Sequence, residues 1–295
     1  MSSTPSRCFF VSDLHGDVDR YRTLAEAAAA ERPAAVFLGG DLLPMGSAEA
    51  FVTATLGPIF EALREALAGA YPAVLLLLGN DDARSAEAAV LEAEARGLWR
   101  YAHLRRLRCH GRDVYGCGFV PPTPFRLKDF ERYDVSRFVD PGSVGPEEGV
   151  LTTPVAEGEL RNTTIAGALD ALAGDADVRE AVFLLHCPPH GTALDRAALD
   201  GLRVEHAPLD VHIGSIAIRR FLEARQPRLA LCGHVHESAR LTGAWRDRIG
   251  GTLCLSAAHD GPELCLVRFT LEDPEDASRE LIPRARPGRA GARRP

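Results

Sequence analysis

The chain has 295 residues, 46% apolar and 25% charged, enough to bury one substantial core and to read as a single globular domain. Against 41 acidic residues there are 34 basic ones, and the formal charge of -7 disfavours non-specific attraction to duplex DNA while leaving a local basic groove open. The amino end, MSSTPSRCFFVSDLHG, lacks the pattern of a signal peptide, and the longest apolar run, 73–78, falls far short of the ~20 residues that span a bilayer, so a cytoplasmic protein is expected.

In chain order, the first expected strand is 8–11, which runs into Asp13 and His15; a helix over 17–31 follows. Strand 34–38 leads through Gly-Gly to Asp41, and the next helix is expected over 48–68. Strand 73–78 ends at Asn80 and Asp81 and is followed by a helix over 85–96 and a strand at 114–118. Residues 120–162 are rich in Pro, Gly and charge and show no period, which predicts a long surface excursion that shapes a pocket. A helix over 164–173, strand 181–185 ending at His186, a helix over 215–224 and strand 229–232 leading to His234 and His236 come next. Strands 252–256 and 264–269 close the domain at residue 282, and the arginine-rich segment 283–295 reads as a disordered basic tail. The alternation of helices with strands, several of them apolar without interruption, argues for an α/β fold in which a sheet is covered on both faces. Later strands follow one another with fewer helices, so the second half is expected to form a mixed or second sheet.

The seven cysteines are odd in number and form no C-x-x-C pair, which fits a reducing compartment; Cys187, beside His186, reads as an inert buried thiol. The histidines 103, 206 and 212 lie away from the strand ends and read as structural or exposed. The Arg-rich run 104–112 reads as a solvated hairpin, and Phe125, Phe130 and Tyr133 as residues that pack the excursion down.

Five apolar strands each run directly into side chains able to bind metal: Asp13 and His15, Asp41, Asn80, His186, and His234 with His236. In open α/β sheets ligands bind at the carboxyl ends of the strands, where the loops converge on one crevice. Singly, each of these residues also reads as a capped turn, a helix cap or a structural histidine; their joint occurrence at one topological position points to a metal centre. Mixed imidazole and carboxylate donors suit Mn, Fe, Zn, Co or Ni better than Ca or Mg, and seven donors divide naturally over two divalent metal ions if one aspartate bridges. A pair of such ions clamps a phosphate and generates hydroxide at neutral pH.

The blocks DLH, GGD, GND, LLH and GHVH resemble, in order and approximate spacing, the pattern of the calcineurin-like metallophosphoesterase superfamily, and the resemblance covers the whole chain apart from its tail. The stretches HCPPHGTALD, SIAIRRFLEARQP and LCGHVHE resemble the Icc-related bacterial and archaeal subgroup. The resemblance implies an αββα sandwich of mixed sheets flanked by helices. It further implies that Asp13, His15 and His236 hold one metal, that Asn80, His186 and His234 hold the other, and that Asp41 bridges them, with manganese the expected ion.

Where the superfamily has G-N-H, with a histidine that protonates the leaving oxygen, this chain has Gly79-Asn80-Asp81. An ordinary Asp, with a pKa of about 3.9, is ionised at neutrality and is a poor acid. Either Asp81 acts with a raised pKa, or another histidine (His110, His190 or His259) supplies the proton, or the substrate needs none, as with diesters or pyrophosphates that carry good leaving groups. His190, after Pro188-Pro189, is a candidate to line the phosphate pocket, and a helix cap is the alternative role of Asp81. The expected function is metal-dependent hydrolysis of a small phosphoester, nucleotide-like and most readily a diester, by a hydroxide bridging two metals. A catalytically degenerate scaffold of the same fold is the alternative that the missing histidine raises.

Overall fold

The computed structural model describes residues 6–156 and 158–284. Two six-stranded mixed sheets form its centre. The first runs, in spatial order, Ser278–Ile282, Leu264–Thr270, Arg7–Val11, Ala35–Gly39, Ala73–Leu77, Arg100–Tyr101; its last four strands are mutually parallel and its first two join antiparallel. The second runs Arg246–Ile249, Thr252–Ser256, Leu229–Cys232, Val182–Leu185, Arg112–Cys117, Arg106–Cys109, with four parallel strands inside two antiparallel edges.

The sheets are doubly covered because the strands are apolar on both faces. Alternate residues divide into two layers. Phe10, Phe37, Leu75 and Leu77 meet Val182, Leu184, Leu229 and Leu231 between the sheets. Their neighbours Phe9, Val36, Leu76 and Phe183 face outward onto helices, where Tyr21, Leu24, Phe60, Leu63, Leu169 and Ile218 are buried. The result is the expected αββα sandwich.

Helix ends follow local chemistry. Asp17, Thr164 and Ser215, which sequence patterning places inside their helices, are the caps that precede Val18–Glu31, Ile165–Ala173 and Ile216–Arg225, their side chains accepting backbone N–H bonds of the first turn. The helical stretch from Ala48 to Leu67 contains Pro58, and a widened π-type turn over Val52–Leu56 carries the chain past the donor that proline lacks.

Residues 120–156 are ordered and irregular. Four charged side chains, Lys128, Asp129, Glu131 and Arg132, are buried there. Lys128 pairs with Glu131 and donates to Thr123 O at 2.9 Å, while Glu131 accepts from Thr123 N at 2.8 Å. Arg132 stacks 4.7 Å over the Phe119 ring. The excursion is held down by a buried polar cluster, and a short helix, Glu159–Asn162, ends it. The Arg-rich run is the solvated hairpin expected, with Arg106 and Arg108 paired to Asp113. Of the basic tail, Arg284 pairs with Asp17; residues 285–295 lie outside the described residues.

Candidate metal centre

Parallel strands of both sheets end on one side of the molecule, and the loops there are laced to each other. Asp13 N donates to Gly40 O at 2.9 Å, His15 N to Asp41 O at 2.8 Å, and Gly233 N to His186 O at 2.8 Å. Asp13, His15, Asp41 and His234 all take positive φ, at 57°, 45°, 53° and 73°. Such a backbone is costly for residues with a side chain and persists where surrounding structure holds it, commonly at functional sites.

The seven candidate side chains gather as two groups that share Asp41. Ligand atoms of Asp13, His15, Asp41 and His236 lie within 4.8 Å of one another, as do those of Asp41, His186 and His234. His15 Nε2 is 3.1 Å from His236 Nε2, His236 Nε2 is 3.3 Å from Asp13 Oδ1, and His186 Nε2 is 3.2 Å from Asp41 Oδ2. Asn80 joins the second group, its Oδ1 3.1 Å from His186 Nε2. His186 Nδ1 donates to Gly39 O at 2.8 Å, which turns Nε2 toward the cluster.

Glycines clear the space. A Cβ on Gly79 would lie 2.3 Å from Asp41 Oδ1 and 2.6 Å from His186 Nε2, and one on Gly233 would lie 2.7 Å from Asp13 Oδ2. Asp13, Asp41, Asn80 and His186 are buried. Burial alone would raise the Asp13 and Asp41 carboxyls, but the imidazoles of His236 and His186 respectively outweigh it and hold both below the usual range. Conversely, burial disfavours charge on His186 and His236, yet Asp41 and Asp13 push them up to about 10 and about 9. His234, dominated by burial, is pushed down to about 3. Carboxylates and imidazoles that stabilise one another's charges in this way form the donor set a cation would neutralise.

Asp81 sits at the rim. Its Oδ2 is 3.7 Å from His15 Nδ1, its Oδ1 accepts from Asn80 Nδ2 at 3.0 Å, and burial together with the Asp41 charge raises its pKa. Asp81 caps no helix: the turn Arg84–Ala86 precedes helix Glu87–Ala95, and neither start has a side-chain cap. The neighbouring Asp82 is the structural member of the pair, fully buried and accepting from Leu42, Leu43 and Gly79 N–H groups. Its carboxyl is pushed up to about 7 by burial and by Asp41.

Beside the cluster opens a cavity of about 480 Å³ lined by Asp41, Asn80, His234 and His236, by residues 121–125 and 134–143, and by the 190–216 loop. His190 lines it, 3.2 Å from Asp210. His110 and His259 do not; they bond to Ala34 O and Glu263 instead. His103 is half-buried and packs against Phe119 and Phe130, as a structural histidine should, whereas His212 lies in the cavity wall, a place sequence reasoning does not give it. No strand ends at His212, so position in the sequence carries no signal for it. Of the excursion aromatics, Phe130 and Tyr133 pack inward, but Phe125 is exposed and lines the cavity together with Phe138. Cys187 is fully buried, and burial raises its thiol pKa well above the ordinary value, in keeping with an inert role.

The fold is shared with solved structures. A Thermus thermophilus protein, TT1561, is 15% identical at a TM-score of 0.58, covering 95% of this chain and 100% of that one. A dimetal phosphatase from Danio rerio is 14% identical at 0.54, covering 96% and 98%. No curated protein sequence matches significantly. The family model for calcineurin-like phosphoesterases matches residues 6–238, and the chain therefore belongs to the calcineurin-like phosphoesterase family.

Proposed function

We propose that the chain hydrolyses phosphoester bonds, phosphodiesters foremost, with the aid of two divalent cations. Asp13, His15 and His236 would hold one, Asn80, His186 and His234 the other, with Asp41 shared. The observation that carries this reading is the pair of donor groups that meet at Asp41. The donors fit the cofactor: buried carboxylates and imidazoles with a cradle of glycines favour Mn, Fe, Zn, Co or Ni over oxygen-seeking Ca or Mg. Bound there, such ions supply charge neutralisation for the phosphate and an acidified water at neutral pH. The dimetal phosphatase of the same fold supports the pair.

The chain's own residues divide the remaining work. Gly39 fixes the tautomer and aim of His186 through Nδ1. Asp81 orients the Asn80 amide and stands beside His15, which gives it a positioning role at the rim. His190 and the cavity beyond it receive the organic part of the ester. The test is hydrolysis of an activated aryl phosphodiester with added Mn²⁺, together with metal analysis. About two equivalents of metal are expected, with loss of both metal and activity in Asp41→Ala; activity indifferent to that substitution would rule the reading out.

A further inference from the structure

The family's acid position is Asp81 here, and its carboxylate is engaged by the Asn80 amide and stands beside His15, so a histidine in the cavity wall is the better-placed source of a proton for the leaving oxygen. We infer that His212, oriented by the buried carboxylate of Asp195, is that proton donor; the inference rests on the phosphoesterase reading above. Asp195 is fully buried and is itself fixed by Gly191 N at 2.8 Å, Thr192 N at 2.9 Å and Gly214 N at 3.2 Å. Its Oδ1 accepts from His212 Nδ1 at 2.8 Å. The approach is close because residue 214 is glycine: a Cβ there would lie 2.8 Å from Asp195 Cβ and 2.6 Å from Pro188 O.

The ring is thus held from behind. Its backbone is also tied, His212 N donating to Asp210 Oδ1 at 2.8 Å. Nε2 makes no hydrogen bond among the described residues, and the side chain stands in the wall of the cavity that opens onto Asp41 and Asn80. Near it also stand His190, whose ring centre is 5.9 Å away, Asp210, and Arg196, whose backbone pairs with that of His212 in an isolated bridge. Imidazole held by a buried carboxylate through Nδ1 presents Nε2–H to a reacting group, the arrangement used for general acid and base work.

The step balances with water as the only co-reactant. Water loses one proton to solvent as its oxygen bonds to phosphorus. The ester P–O bond breaks, its electron pair stays on the leaving oxygen, and that oxygen takes the Nε2 proton of the His212 imidazolium. The neutral imidazole regains a proton from solvent, and Asp195 stays ionised throughout.

Leaving-group dependence tests this, because p-nitrophenolate departs without a proton and an alkoxide does not. His212→Asn should lower kcat on a simple dialkyl phosphodiester by about 100-fold or more while changing kcat on bis(p-nitrophenyl) phosphate by no more than about threefold. A series of aryl leaving groups should show steeper dependence on leaving-group basicity in the variant. Independently of activity, long-range ¹⁵N–¹H NMR of the metal-stripped protein should find neutral His212 protonated at Nδ1. Equal losses on both esters, no loss on either, a wild-type enzyme that cleaves only the aryl ester, or a ring bare at Nδ1 would overturn the assignment. A wild type that binds metal but cleaves neither ester would instead sink the phosphoesterase reading, and this one with it.

Discussion

Asp82 and Leu42, forty positions apart, are joined by a carboxylate that accepts the Leu42 N–H at 2.9 Å deep in the protein. The same carboxylate takes the N–H groups of Leu43 and Gly79, so one side chain sets the separation between the loop that carries Asp41 and the loop that carries Asn80. Asp82→Ala leaves three buried donors unsatisfied and should cost about 3 kcal/mol or more. Asp82→Asn keeps one acceptor oxygen and should cost less. Urea unfolding of the three proteins measures the order.

Gly79 has a role that only a missing Cβ fills. Gly79→Ala pushes a methyl against Asp41 Oδ1 and His186 Nε2, whereas Gly69→Ala meets nothing within 4 Å. The first substitution should abolish the rise in Tm on adding Mn²⁺ and the second should keep it. For a site filled at 100 times its Kd the stabilisation is about 2.7 kcal/mol, readily seen by calorimetry, and chelation should reverse it.

The buried Lys128–Glu131 pair holds its segment by opposed charges. Burial pushes Glu131 up to about 7 and pulls Lys128 down, against the attraction between them. Removing Lys128 alone strands a buried carboxyl, so Lys128→Ala should destabilise by about 3–5 kcal/mol and loosen residues 120–156 to protease. Replacing both by apolar residues of similar size should cost markedly less.

On the surface, Glu31 accepts from Arg268 through both oxygens, at 2.7 and 3.0 Å. That contact, opposed by burial and helped by the Arg268 and Arg7 charges, lowers its pKa below 4.5. A lowered pKa in the folded state means a contribution present above pH 4.5 and lost as pH falls through the folded value. Because the pair is partly exposed and screened, Glu31→Gln should cost only about 1 kcal/mol at neutral pH, and the difference from wild type should shrink on acidification.

The eight strands expected from the sequence all exist, each within about two residues of its expected ends, because long apolar runs bounded by Gly, Asp or His are a local signal. The same pattern carries all seven candidate ligands, since each stands just past such a strand. What escapes it is non-local. Arg106–Cys109 and Arg246–Ile249 are short edge strands whose charged faces look like loop, and Arg100–Tyr101 is two residues long. The charges of 128–132 look solvated in sequence because their partners are fixed by tertiary approach. His212 looks idle for the same reason: Asp195, which orients it, lies seventeen residues earlier in a segment without periodicity.

Both donor groups at the metal centre draw on both sheets. Asp13, His15 and Asp41 follow strands of the first and His236 follows a strand of the second; Asp41 meets His186 and His234 in the same way. Ions held there would also rivet the two halves of the sandwich at their open end. Stripping them would remove that cross-tie as well as the chemistry, leaving the apolar seam between Phe37 and Leu184 and the hydrogen bonds from His186 to Gly39 and from His234 to Asp13 to resist shear.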